Sequence, residues 1–587
     1  MSDALILTLL WLVPLIGAGL VLLIPKGLDG LVRNFSLAVT AIVLALTVWV
    51  LGLYVTGSTR PADVPLAQRA AANTLAPGET PGDGLVANDA PYDLVTRKAW
   101  IPYFNIEYFL GVDGISLSLL LLTALVSLLA CLASWGIDKH VKGYFCLFLI
   151  LLASMMGVFL ALDMFLFFVF FEVMLLPMYF LIAIWGGDRR EYAAIKFLLF
   201  TLFGSAFILV AILLLYFWGG DVPSSFEGRP FHGHTFDAVK LADVAAQTSY
   251  YGPWVQNLIF GLFFVGFLVK LPSFPFHTWL PDAHVQAPTP ISMILAGVLL
   301  KIGGYGLVRL AWPLAPAGAY DWSFFAACLG VFSIIYGALT AMAQSDFKKL
   351  VAYSSVSHMG YVTLGMAAMG LFSASGASID PRFYAYGVNG AIFMMLAHGI
   401  TSAGMFFLVG VIYDRAHTRD LTKLGGLMNI MPLYGAIGLV IFFGSMGLPG
   451  LCGFIGEVFV LLAAFNYNRV LAVLAALAVV LTAGYILWTI QRVWLGRSEE
   501  WKGLPDMNSR EIAIAAPLVV LTILLGVAPQ LVLSWVGPSV DQMVQRIANA
   551  PTVRAAAAVN MAAAAQEAPP PVLQAELERA RKAVALR

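Results

Sequence analysis

The chain has 587 residues, 60% of them hydrophobic and only 11% charged, with 33 basic and 33 acidic side chains. Its mean hydropathy is +0.87. Soluble domains are roughly 45–50% apolar and about 25% charged, so a water-soluble fold is excluded. Zero net charge leaves no basic or acidic surface for nucleic acid or a polyanion.

A hydrocarbon core roughly 30 Å thick requires about 20 apolar residues per helix. The apolar runs are continuous, without the period-two alternation of a transmembrane barrel, and predict helices. In chain order they place about fourteen spans, near 4–24, 34–54, 113–135, 143–161, 164–186, 195–218, 256–280, 289–312, 323–342, 348–370, 385–412, 431–463, 470–495 and 511–535. The first run follows the acidic Asp3 and lacks a small-residue cleavage site, so it reads as a retained span.

Two long polar loops, 56–108 and 219–253, are punctuated by Asp, Pro and Gly. This layout groups the chain into N-terminal helices with their outer loop (1–135), two helical units (143–312 and 323–495), a last span (511–535) and an Ala/Pro-rich tail (536–587). The tail ends in a short helix with Leu573, Leu577, Ala580 and Val584 at helical spacing, an appendage or a contact for a neighbouring subunit.

One set of alternate loops is rich in base, among it Lys26, Lys139, Lys142, Arg189, Arg190, Lys348, Lys349, Arg415 and Arg497. The opposite loops are longer in total but poorer, with Arg97, Arg309 and Arg469 among their few cations. The positive-inside bias makes the first set cytoplasmic and puts both termini on the outer, periplasmic side.

Removing these loop charges leaves Lys270 and Lys301 inside predicted spans, with the acids Glu172 and Glu457. A charge at mid-bilayer costs roughly 2.5–3.5 kcal/mol on insertion scales, so such groups pair or mark an ion pathway. Glu172, in FLFFVFFEVMLLPMYF, has no polar neighbour on its own helix and takes its partner from another span, for which Lys270 is the candidate. Pro272 and Pro275 break the helix just beyond Lys270 and free carbonyls beside it. Making or breaking a Glu172–Lys270 pair switches the proton affinity of the lysine, the requirement for a proton carrier.

Lys301 is followed by Gly303, Gly304 and Gly306, which also suit plain helix packing. His358 has Ser354, Ser355 and Ser357 nearby, and His398 is followed by Thr401 and Ser402, so histidines and hydroxyls together read as a relay. Glu457 follows Pro449 in a second Pro/Gly-interrupted span, and two broken helices five spans apart fit a repeated five-helix unit.

Other features carry less. The cysteines Cys131, Cys146, Cys328 and Cys452 have no metal or redox spacing. His232 and His234 lack a third ligand nearby, and GLPGLCGFIG follows no strand, so neither a metal nor a dinucleotide site is expected.

These residues sit in stretches that resemble a known family: GVDGISLSLLLLTAL from Gly111, FFEVMLLPMYFLIAIWGG from Phe170, KLPSFPFHTWLPDAHVQAPTPIS from Lys270, DFKKLVAYSSVSHMGYV from Asp346 and GLPGLCGFIGEV from Gly447. They resemble the antiporter-like pump subunits of respiratory complex I, the proton-translocating NADH–quinone oxidoreductase. Within that superfamily the SSVSHMG stretch and the acidic Glu457, where sister subunits generally carry lysine, resemble the subunit M branch, called subunit 4 in mitochondria. The loop 56–108 and the tail depart from the family pattern.

The resemblance implies an all-α polytopic fold of about fourteen transmembrane helices with two inverted five-helix repeats, each containing a broken helix. It implies a proton pathway of Glu172, Lys270, Lys301, His358, His398 and Glu457. It implies a subunit of an NADH:ubiquinone reductase in a bacterial inner membrane, in contact with lipid, with other complex I membrane subunits and above all with its two sister subunits. No cofactor is expected in this chain; NAD, FMN, iron–sulfur clusters and quinone belong to partner subunits. A cation/proton antiporter subunit uses similar buried charges and is the nearest competing reading, and a structural spacer locked by its charges is a third.

Overall fold

The computed structural model describes residues 3–56, 94–219, 234–247, 249–371 and 381–567. His232, most of the long outer loop and the tail helix expected over Leu573–Val584 lie outside the described residues.

The chain starts with α1 (Asp3–Leu23) and α2 (Asp29–Thr56), followed by the antiparallel strands β1 (Leu94–Ile101) and β2 (Ile106–Val112), an exception to the all-α expectation. Next come α3 (Gly114–Ala133), α4 (Val141–Leu160), α5 (Met164–Val173), α6 (Leu175–Trp185), α7 (Arg190–Gly219) and α8 (Ala238–Gln247). The first broken pair is α9 (Pro253–Lys270) and α10 (Trp279–Gln286). The helical run α11 (Thr289–Leu314), then α12 (Pro316–Met342), α13 (Phe347–Ala367) and α14 (Arg382–Ala416) lead to the second broken pair, α15 (Pro432–Met446) and α16 (Cys452–Tyr467). The chain continues with α17 (Arg469–Val493), α18 (Ser509–Val527), α19 (Gln530–Asn549) and α20 (Pro551–Glu567).

Among the described residues, 12 helices are long and apolar enough to cross a membrane, and α15 and α16 are shorter apolar helices. The protein is a polytopic helical membrane protein. The apolar windows of α11 and α14 are wholly buried, whereas those of α1, α2, α7, α17 and α18 are less than half buried. Two central helices are thus screened by an outer layer whose apolar side chains suit lipid or other subunits.

Three sequence expectations shift. The run 164–186 is interrupted at Met174, because Pro177 has no N–H to offer the carbonyl of Val173. The run 511–535 ends its span at Val527; Pro529 starts a new helix, α19, whose Val532, Val536, Val540 and Val544 are buried at four-residue spacing. Arg309 lies not in a loop but within α11, paired with Asp113 at 2.7 Å.

Two isolated β-bridges stand in matching places. Asp163, the N-cap of α5, pairs antiparallel with Asp237, and Asp346, the N-cap of α13, pairs antiparallel with Asp420. Met164 N–H donates to Phe236 O and Phe347 N–H to Arg419 O, both at 2.8 Å. Thr235 and Thr418 each accept the N–H of the aspartate two residues on, both at 3.2 Å. The sequence intervals, 163 to 237 and 346 to 420, are equal.

Candidate functional site

Each break in the bundle leaves an ionisable side chain beside freed backbone. α9 ends at Lys270, placing the ammonium at the negative end of the helix. Pro272 and Pro275 cannot continue the ladder, and Trp279 Nε1–H, across the break, donates to the freed Val269 carbonyl at 2.8 Å. Gly303 of α11 lies against this break: a Cβ there would stand 2.6 Å from Leu271 N.

The Lys270 ammonium is buried and lies 4.8 Å from the centre of the Phe171 ring and 5.8 Å from that of Phe197. It makes no hydrogen bond to protein, and Glu172 Oε1 is likewise buried without one. The expected Glu172–Lys270 contact is therefore not closed here, although the two groups remain within electrostatic reach. Glu172 is half-buried, next to the exposed Val173 and Leu176, because the break at Met174 turns this edge of the helix outward.

The centre of the bundle brings three predicted residues together. Lys301 sits between two π-helical turns, Leu295–Leu299 and Leu307–Ala311, and its ammonium donates to Ala296 O five residues back. It also bonds His398 Nδ1 on α14 at 2.7 Å. An ammonium only donates, so with Lys301 charged, Nδ1 accepts and the His398 proton is on Nε2. The rings of His398 and His358 are 5.4 Å apart between centroids. His358 Nε2 lies 2.9 Å from Ser445 O, which only accepts, so Nε2 carries the proton and Nδ1 offers a lone pair. His398 Nε2 and His358 Nδ1 have no protein partner.

Of the hydroxyls near the histidines, four bond backbone carbonyls instead of a histidine, and Ser402 Oγ is buried without a protein partner. Ser354 and Ser355 bond Val351 O and Thr401 bonds Ala397 O, since a helical hydroxyl readily turns back on its own ladder, and Ser357 bonds Ile334 O of the neighbouring α12.

Ser445 lies in the last turn of α15, one residue before its final Met446, and the next residue, Gly447, adopts φ +79. Glu457, in α16, is buried and turns back to this corner: a Cβ on Gly447 would stand 2.3 Å from Glu457 Oε2. Only glycine meets both the left-handed backbone and the close carboxylate. Lys301, His398 and His358 thus stand in succession, His358 reaches the Ser445 carbonyl beside the Gly447 corner on which Glu457 lies, and the Lys270 break packs on Gly303 of α11.

Sequence reasoning missed three buried cationic or titratable groups. Lys348, assigned to a loop, is buried and donates to Ala287 O at 2.6 Å. His284 is buried and stacked on Phe406 with centroids 4.3 Å apart, and neither of its nitrogens has a protein partner; the same is true of the nitrogens of His277. The available signal was HTWLPDAH itself, two histidines around a helix break. Lys348 was hidden by the adjacent cap Asp346, which looks like a loop end.

His234 Nδ1 lies 3.0 Å from Tyr216 O. Among the described residues, no group of three or more metal-ligating side chains is present.

A membrane protein built around a buried line of lysines, histidines and a carboxylate is an ion-translocating subunit in design. Residues 161–482 match the family described as NADH:quinone oxidoreductase/Mrp antiporter, transmembrane, and residues 94–162 match the amino terminus of NADH-ubiquinone oxidoreductase chain 4. The chain is 44% identical to NADH-quinone oxidoreductase subunit M of Rhodobacter capsulatus, over 77% of this chain and 84% of that protein. It is 39% identical to subunit M of Pseudomonas aeruginosa, over 90% and 95% respectively. A chain of respiratory complex I from Thermus thermophilus superposes with a TM-score of 0.75 at 27% identity, covering 92% of this chain and 99% of that one. The chain belongs to the NADH-quinone oxidoreductase subunit M family.

Proposed function

We propose that this chain moves protons in the membrane arm of an NADH–quinone oxidoreductase, along Glu172, Lys270, Lys301, His398, His358 and Glu457. The observation that carries the reading is the Lys301–His398 bond of 2.7 Å between two helices whose apolar windows are wholly buried, continued by His358 towards the Glu457 corner. Quinone reduction in partner subunits, which hold the NAD, FMN and iron–sulfur sites, perturbs this chain. The open Glu172–Lys270 pair corresponds to the state in which Lys270 can pass charge inward, and Glu457 releases the proton to the outer face.

The matching bridges at Asp163–Asp237 and Asp346–Asp420 support two inverted five-helix repeats, each with one broken helix. Counting α13 and the α15–α16 pair as spans gives about fourteen crossings. The chain sits in a bacterial inner membrane with both termini outside, between its sister subunits and lipid.

The test is proton uptake in assembled complexes reconstituted into vesicles. Lys301→Met and Glu457→Gln should each cut proton translocation per assembled complex by about tenfold, a barrier change of about 1.4 kcal/mol. Near-normal coupling in both would reject the relay.

The second reading, exchange of Na⁺ or K⁺ for protons, has the family description in its favour, since it includes Mrp antiporters. Copurification with flavin and iron–sulfur subunits separates the two. Recovery with small membrane antiporter partners alone would favour exchange.

A further inference from the structure

The outer helix α17 carries its exposed residues along one side. Val470, Leu477, Val480, Leu487 and Trp488 are open, while Ala478 and Tyr485 between them are buried. The helix has 25 residues, a length of roughly 37 Å, enough to cross a hydrocarbon core of about 30 Å with some tilt. An arginine lies over an aromatic ring at each end of this stripe. Arg469 is 5.6 Å from the centre of the Phe465 ring and Arg492 is 4.1 Å from that of Trp488. An apolar stripe of bilayer length between two aromatic anchors is a lipid-facing surface.

The two arginines differ in what their donors meet. Arg469 is exposed. Arg492, in the last turn of α17 on the base-rich side, has Nε and Nη2 buried without a hydrogen-bond partner. These two nitrogens share one edge of the guanidinium, the edge that can grip two oxygens of a phosphate or carboxylate at once. Among the described residues no carboxylate pairs with it. Glu499 pairs with Lys502, Asp506 accepts from the N–H groups of Leu433 and Tyr434, and Glu500 is exposed.

Further base flanks the same corner. The segment Lys423–Gly426 is held against the end of α17, where Gly426 N–H donates to Leu495 O at 2.9 Å and Trp501 Nε1–H to Lys423 O at 3.0 Å. Arg497 touches this segment, since a Cβ on Gly426 would stand 3.0 Å from its Cα. Lys423 and Arg497 are both exposed. A cation in the last turn of a helix offsets the dipole, and a tryptophan beside it suits the membrane interface. Those structural uses account for the place of Arg492 but leave its paired donors idle.

We propose that Arg492 and Trp488 form a binding site for the phosphate of an anionic phospholipid, whose acyl chains lie along the exposed stripe of α17. The guanidinium edge takes two phosphate oxygens, and Trp488 holds the guanidinium plane in place from its other face. Gln491 and Leu495 beside the arginine are exposed, so a headgroup reaches that edge by moving surface side chains, without opening the bundle. Lys423 and Arg497 favour a headgroup of net negative charge over a zwitterionic one.

The test uses the assembled complex in nanodiscs of phosphatidylcholine containing a minority of phosphatidylglycerol. Leu495→p-benzoylphenylalanine is photolysed, and the adducts on this chain are identified by mass. Phosphatidylglycerol should be enriched among the adducts by about fivefold over its share of the bilayer, the effect of one well-placed cation on an anionic lipid. Arg492→Gln in the same background should bring the ratio to parity, with Arg492→Lys between the two.

Adducts at the bulk lipid ratio in the parent overturn the site, as does enrichment that persists undiminished in Arg492→Gln. Adducts to the polypeptide of another subunit would make this face a protein interface and overturn the lipid assignment. Loss of the enrichment on adding millimolar inorganic phosphate would assign the site to free phosphate instead. The parent ratio, with and without phosphate, is read without any change at Arg492, so the test stands even if Arg492→Gln fails to assemble.

Discussion

The Lys301 ammonium and the His398 imidazole are 2.7 Å apart at the centre of the bundle, and this bond joins the two helices that the remainder of the protein encloses. With Lys301 charged it leaves the His398 proton on Nε2, an atom with no protein partner, and the His358 ring lies 5.4 Å away between centroids.

Replacing His398 by Ala leaves the Lys301 ammonium with Ala296 O alone. A hydrogen bond to a charged group contributes roughly 1.5–3 kcal/mol. Proton translocation per assembled complex should fall about tenfold or more, while the assembled amount, read by quantitative native electrophoresis, stays close to that of the parent. A His398→Ala enzyme with parental pumping would remove this residue from the pathway.

Gly447 and Gly450 give a matched pair. Both have positive φ, +79 and +89, but an added Cβ meets Glu457 only at Gly447 and finds nothing within 4 Å at Gly450. Gly450→Ala should cost only backbone strain, about 1 kcal/mol, and Gly447→Ala distinctly more. Thermal midpoints of the purified complexes check the order. The pumping loss should likewise be confined to Gly447→Ala.

Arg415 and Glu511 form a two-pronged ion pair at 2.7 and 3.0 Å with little exposure. Glu511→Gln keeps the capping interaction with Asn508 but leaves the guanidinium buried without its counter-charge. The expected cost is about 3–5 kcal/mol, seen as reduced assembly. Arg415→Met combined with Glu511→Leu should assemble better than Glu511→Gln alone.

Asp163, just outside α5, is fully buried and accepts hydrogen bonds from Leu166 N–H at 3.0 Å and Glu107 N–H at 3.1 Å. Burial, with a smaller contribution from the neighbouring Asp237, pushes its carboxyl up to about 7. An acid with a raised folded value binds a proton on folding, so stability is lost as pH rises from the unfolded value, about 4, to about 7, and levels off above. The slope is at most about 1.4 kcal/mol per pH unit. Opening of the β1–β2 hairpin, read from hydrogen exchange corrected for intrinsic rates, should become easier between pH 5 and 7. Asp163→Asn should flatten this dependence, and an unchanged slope in that variant would assign it to another group.

The six relay candidates were legible because a charge inside an apolar run stands out against its background: Glu172 in FLFFVFFEVM and Lys270 before two prolines need no partner to be noticed. Both breaks were equally visible, since proline and glycine act locally. Lys348 was not, because a span boundary is known from sequence only to within a few residues, and one turn separates a loop charge from a buried one. The serines around His358 misled for a related reason. Their proximity in sequence is real, but a helical hydroxyl has a carbonyl of its own ladder within reach.

Sequence by itself determined that this is a helical membrane protein, where its two Pro/Gly-interrupted helices break, and that Glu172, Lys270, Lys301, His358, His398 and Glu457 lie in its apolar runs, all of which depend on local hydropathy and backbone chemistry. The tertiary structure decided the pairing: that Lys301 bonds His398, that Lys270 stands apart from Glu172, and that Lys348 is buried against the Ala287 carbonyl. Pairing depends on which helices are neighbours and how each is rotated, and a nearly uniform apolar pattern leaves rotation unspecified until the helices pack.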